Sequence, residues 1–87
     1  AYIGQHSKAN IRGGIMAHSY SSLGIQNMLL NGKPVGEIDV IAAMAGHFGI
    51  PAIMLSGDRA AADELREIVP DAEMAVVKEG LGRYVCI

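Results

Sequence analysis

Only one cysteine, Cys86, occurs in the 87 residues. A lone thiol excludes an internal disulfide framework and a Cys-rich structural zinc site. Tryptophan is absent and aromatic residues make up 5% of the chain, so large side chains for a core are scarce. Neither sign of charge dominates: seven Lys and Arg face nine Asp and Glu, a net charge of −2. That balance leaves no electrostatic footprint for nucleic acid or an anionic membrane, and neither is expected as a partner. No apolar run approaches the ~18 residues of a transmembrane helix, and no basic-then-apolar signal segment opens the chain. Disorder is excluded as well, because 51% of the residues are hydrophobic and mean hydropathy is +0.28.

What is present reads as an α/β domain. Residues 1–5 predict the tail of a strand. Residues 6–24 carry Gly, Ser and Asn without a period and predict a long loop, a class that is usually functional when ordered. Residues 25–30 predict a strand, followed by Asn31-Gly32, a strong two-residue hairpin signal, with Lys33-Pro34-Val35 returning. From Gly36-Glu37 to about Phe48 the residues are apolar around most of a helical circumference, which predicts a mostly buried helix. Gly49 and Pro51 end it. Pro51 to Leu55 predicts a parallel strand, and Ser56-Gly57-Asp58 a turn in which Asp58 caps the next helix. That helix, Arg59 to Val69, places Ala61, Leu65, Ile68 and Val69 on one stripe and Asp63, Glu64, Arg66 and Glu67 off it. Ala72 to Val77 predicts a further strand with Met74 and Val76 on one face, making 51–77 a right-handed βαβ unit. The expected architecture is a three-layer sandwich-type segment with a largely parallel sheet, a β-hairpin and two helices.

Few residues could carry chemistry. His6 follows the first strand, and open α/β sheets bind ligands beyond the carboxyl ends of their strands. It reads either as a metal ligand or as a solvated loop histidine. His18, among small residues, reads either as a general acid/base or as a turn cap. Glu37 reads as a first-turn helix stabiliser, or as a carboxylate entering a buried environment that demands a cation. His and Glu in a water-poor site suit Zn²⁺. Ser56 to Arg59 admits a weaker reading as an anion site at a helix start. His47 in a last helical turn reads as structural. Cys86 reads as a buried thiol, and the five methionines read as core packing.

The signals also occur in a telling order: His6 after a strand, Gly13-Gly14-Ile15-Met16-Ala17-His18-Ser19, then Asn31-Gly32-Lys33-Pro34-Val35-Gly36-Glu37, Leu55-Ser56-Gly57-Asp58, and Ala75 to Arg83. Over almost the whole chain this resembles the middle of the M55 family of D-aminopeptidases. The resemblance implies a dinuclear zinc peptidase that releases N-terminal D-amino acids from short peptides, assembled as a homo-oligomer. A cytoplasmic location is expected. It implies that His6 and Glu37 are zinc ligands and that His18 is the catalytic histidine. We read His18 as a proton shuttle or oxyanion donor, with water as the attacking group. An Asp-x-Glu and a further histidine complete the family's ligand set, and no Asp-x-Glu precedes residue 37 here. Residues 1–87 are therefore expected to be a single segment of an α/β metallopeptidase domain, truncated at both ends and inactive alone. The alternative is a non-catalytic α/β binding or oligomer-assembly module.

Overall fold

The computed structural model describes all 87 residues. Strand β1 (Tyr2–Gln5) is followed by a long irregular loop and a short hairpin, β2 (Leu29–Leu30) and β3 (Lys33–Pro34). Helix α1 (Glu37–His47), strand β4 (Met54–Asp58), helix α2 (Arg59–Ile68) and strand β5 (Glu73–Lys78) come next, and a second hairpin, β6 (Gly80–Gly82) and β7 (Val85–Cys86), closes the chain. Strands β1, β4 and β5 form one parallel sheet in the order β1-β4-β5. The α/β class, the parallel sheet, the hairpin and the two helices are as expected.

The core shows why the helices sit where they do. Ile38 of α1 and Ala61, Ala62 and Leu65 of α2 share one buried cluster with Tyr2 of β1 and Leu55 of β4. Tyr2 and Leu55 are register partners, so both helices cover the same face of the sheet. Met74 and Val76 pack against this cluster from β5. The Tyr2 hydroxyl donates to the Ile38 carbonyl at 3.1 Å and ties α1 to β1. These residues thus supply the sheet and the helical layer on one face, while Ile3 and Val77 on the other face are 75% and 65% exposed.

Asn31 and Gly32 both have positive φ, 51° and 79°, as a type I′ turn requires. The strand expected over 25–30 shortens to two residues: Leu29 and Leu30 pair in register with Pro34 and Lys33, and beyond them the Val35 N–H reaches the Met28 carbonyl at 2.9 Å. Ser56, Gly57 and Asp58 belong to β4 rather than to a turn. Gly57 lies where β1 comes close, and a Cβ there would collide with the Gln5 carbonyl. The glycine marks a close approach of backbones, not a reversal of the chain. Asp58 nonetheless caps α2, its Oδ1 accepting the Ala61 N–H at 2.8 Å.

Several burial expectations fail. In α1 only Ile38 is buried, while Met44 and, just past the helix end, Phe48 are 60% and 72% exposed. Apolar periodicity reports what a helix is able to bury, and nothing in this chain covers that side. Met16 is exposed too, and Cys86 is an exposed thiol on the terminal hairpin. Glu64 departs in the other direction. The helical spacing puts it off the buried stripe of α2, yet it is 5% exposed.

Candidate metal centre

The carboxyl ends of β1, β4 and β5 lie together, and His6 follows the first of them. Its Nδ1 lies 2.9 Å from the Ser7 carbonyl oxygen. A carbonyl only accepts, so Nδ1 carries the ring proton and Nε2 is left facing outward. His18 is held the same way, with Nδ1 2.7 Å from the Met16 carbonyl oxygen. Fixing one ring nitrogen on a carbonyl sets the tautomer of a metal-binding or proton-transferring histidine.

The loop carrying His18 is pinned from several sides. The His18 N–H donates to the Ser7 carbonyl at 3.2 Å, and the Met16 N–H to the Arg83 carbonyl at 2.8 Å. The Arg83 guanidinium donates to the Ala17 carbonyl at 2.9 Å. The Ile15 N–H donates to Asp58 Oδ2 at 2.6 Å. Met16 and Tyr20, on either side of His18, have φ of 51° and 57°. Non-glycine residues in this region each cost about 1–3 kcal/mol, and such strain collects at functional sites.

Glu37 opens α1, but its carboxylate does not serve the helix start. Asp39 does so, accepting the Gly36 N–H at 2.8 Å. Glu37 reaches instead to the loop, where Oε1 accepts the Tyr20 N–H at 2.6 Å. Its side chain is 19% exposed, half-buried rather than sealed from water. Oε2 lies 3.1 Å from His6 Nε2, and Oε1 lies 3.9 Å from His18 Nε2. The two imidazoles stack with centroids 3.7 Å apart. The donor atoms of His6, His18 and Glu37 all lie within 4.8 Å of one another.

This set fits a divalent cation. With Nδ1 protonated, a neutral His6 turns the lone pair of Nε2 toward a carboxylate oxygen. Two acceptors at hydrogen-bond distance need a cation between them, either a proton or a metal. Donors around a tetrahedral zinc at ~2.0–2.1 Å stand about 3.3 Å apart, and the two nitrogen–oxygen separations bracket that value. Imidazole and carboxylate are zinc ligands by type.

Other sequence candidates fall away from this point. His47 ends α1 against Phe48. The Ser56–Arg59 stretch offers no anion site, since the Asp58 carboxylate itself occupies the start of α2. The largest cavity, about 570 Å³ between residues 10–14 and the β6–β7 hairpin, contains none of the three clustered residues.

Sequence reasoning missed Glu64. Its Oε2 accepts the Lys8 N–H at 2.8 Å, with the Lys8 ammonium at 3.7 Å. Burial pushes its carboxyl above the ordinary carboxylate range, Lys8 opposes that, and Asp39 adds to it. Glu64 thereby ties the segment after His6 to α2. A charged residue in a helix reads as solvated from sequence, so no local signal could have found it.

The family model described as Peptidase M55, D-aminopeptidase, matches residues 1–87. The chain belongs to this family. It is 35% identical over 82 residues to the D-aminopeptidase of Bacillus subtilis (strain 168), covering 94% of this chain and 29% of that protein. It also superposes, with a TM-score of 0.88 and 35% identity, on a solved structure described as the Zn-dependent D-aminopeptidase DppA from Bacillus subtilis, a self-compartmentalizing protease. That match covers 95% of this chain and 30% of the other. The chain therefore spans about 30% of the length of these relatives.

Proposed function

We propose that these residues form part of the catalytic centre of a zinc-dependent D-aminopeptidase, which releases N-terminal D-amino acids from short peptides. The observation that carries the reading is the facing of His6 Nε2 and Glu37 Oε2 at 3.1 Å, with His6 Nδ1 already committed to a carbonyl. His6 and Glu37 are the zinc ligands of this segment. The other ligands, and the second of two zinc ions, depend on further parts of a longer polypeptide, so residues 1–87 alone are inactive. The family resemblance and the Zn-dependence of the B. subtilis protein support the choice of metal.

Zinc, when bound, polarises the peptide carbonyl and makes water a nucleophile at neutral pH. The chain's own residues set the rest. The Tyr20 N–H holds Glu37 Oε1 and so directs Oε2 toward His6. The Met16 carbonyl holds His18 by Nδ1, which leaves Nε2 as the atom that takes a proton and returns it to the leaving amine. The pinned backbone around His18 keeps that nitrogen in place without reorganisation. Assembly into a homo-oligomer is supported by the self-compartmentalizing description of the relative.

Glu37→Gln in the full-length protein tests the reading. The amide keeps the volume and can still accept from Tyr20 but is a poor zinc ligand. Zinc content by atomic absorption should fall by at least one ion per two subunits, and aminopeptidase activity on a D-residue dipeptide should be lost. Unchanged zinc and activity would leave Glu37 as an anchor of the loop through the Tyr20 N–H and favour a non-catalytic module.

A further inference from the structure

A cavity of about 190 Å³ opens where the three parallel strands end. Each strand contributes to its wall: Gln5 and His6 from the end of β1, Asp58 from β4 and Lys78 from β5, with Met16 and His18 from the loop. Open α/β sheets bind ligands at this edge. Lys78 is the basic residue there, and no carboxylate lies within salt-bridge distance of its ammonium. Asp58, its register partner, is 1% exposed, with one oxygen on the Ala61 N–H and the other on the Ile15 N–H. Glu79, the next residue in the chain, pairs with Arg59 at 3.1 Å. Glu37 accepts from Tyr20 and faces the histidines. The nearby acids are therefore committed elsewhere, and an uncompensated cation shares a small cavity with both imidazoles.

We propose that Lys78 receives the free α-carboxylate of a dipeptide substrate whose scissile carbonyl lies at the His6–Glu37 centre. This rests on the aminopeptidase reading and adds to it a determinant of substrate length. The volume sets the class. At 190 Å³ the cavity is smaller than the ~300–1,000 Å³ of drug-sized ligand sites, so it holds little more than one residue beyond the scissile bond. A substrate that ends there presents its negative charge to Lys78. A longer peptide, or a dipeptide amide, brings an uncharged carbonyl to the same ammonium and forgoes a charge-assisted hydrogen bond. Lysine serves such a contact as a point charge on a flexible stem.

The test compares a D-residue dipeptide with its C-terminal amide on the zinc-loaded full-length protein and its Lys78→Met variant. The wild type favours the free acid in kcat/KM, and Lys78→Met lowers the acid-to-amide ratio by at least about tenfold. Lys78→Arg keeps the preference, since the positive charge is retained. Calorimetric binding of acid and amide to the metal-free protein gives a second readout that needs no turnover, and the acid binds more tightly only while residue 78 is basic. An acid-to-amide ratio that survives Lys78→Met, or a wild type without the preference in either measurement, overturns the proposal. If the zinc-loaded wild type hydrolyses neither compound, the peptidase reading fails, and the calorimetric comparison alone decides the role of Lys78.

Discussion

Asp58 joins two parts of the molecule with one carboxylate, and Asp58→Asn separates them. Oδ1 caps α2 through the Ala61 N–H at 2.8 Å, and Oδ2 holds the His18 loop through the Ile15 N–H at 2.6 Å, all at 1% exposure. Asparagine has one oxygen and one NH₂, so only one of the two donors keeps an acceptor. Asn is as good a helix cap as Asp, and the cap is expected to retain the oxygen. The NH₂ then confronts the Ile15 N–H, leaving a part-buried donor unpaired at a cost of about 1–3 kcal/mol. If that cost appears as local opening of the loop, the Ile15 amide exchanges about 5- to 150-fold faster. Hydrogen exchange followed by mass spectrometry on the full-length protein reads this directly. Peptides covering residues 11–19 should lose protection while those covering the start of α2 keep it. Turnover should fall through misplacement of His18, with zinc content maintained by His6 and Glu37. Equal loss of protection in both segments, or in neither, would refute the claim that a single carboxylate couples helix and loop.

Two further outcomes follow from buried contacts. Burial raises the Glu64 carboxyl above its ordinary value of 4.5, with Lys8 opposing and Asp39 reinforcing the shift. The folded state therefore binds the proton more tightly than the unfolded chain, and stability falls as pH rises from about 4.5 through the raised folded value. Glu64→Gln, which mimics the protonated form, should flatten that slope, with its advantage over the wild type largest at neutral pH in urea titrations. A wild type and variant with parallel pH profiles would show that Glu64 does not titrate in that window. Gly57→Ala should destabilise by about 1–3 kcal/mol, because its Cβ meets the Gln5 backbone between β1 and β4. A melting temperature within error of the wild type would show that the two strands separate more freely than this packing implies.

The elements legible in the sequence were those set by local chemistry. The Asn31-Gly32 turn, the Asp58 cap, the stripe of Ala61 and Leu65 and the alternation at Met74 and Val76 each rest on a few neighbouring residues, and each is present. Errors arose where a residue type has two physical causes. Gly57 suits a turn by residue type, and the structure uses it for a close backbone approach. The apolar circumference of α1 predicts burial, but burial also needs a partner surface. Cys86 and Met16 were misplaced for the same reason.

The residue types left His6, His18 and Glu37 each with a structural alternative, and the resemblance to the M55 family, carried by the order of the motifs, nominated them. Their convergence within 4.8 Å, the anchoring of both Nδ1 atoms and the release of Glu37 from the helix start by Asp39 came only with the folded chain. So did the contacts of Glu64 and Arg83 and the place of Lys78 at the strand ends. Periodicity and turn chemistry act over a few residues and are written locally, whereas a coordination site is a set of distances among groups 12 to 31 positions apart, which only the packing of helices on a parallel sheet can fix.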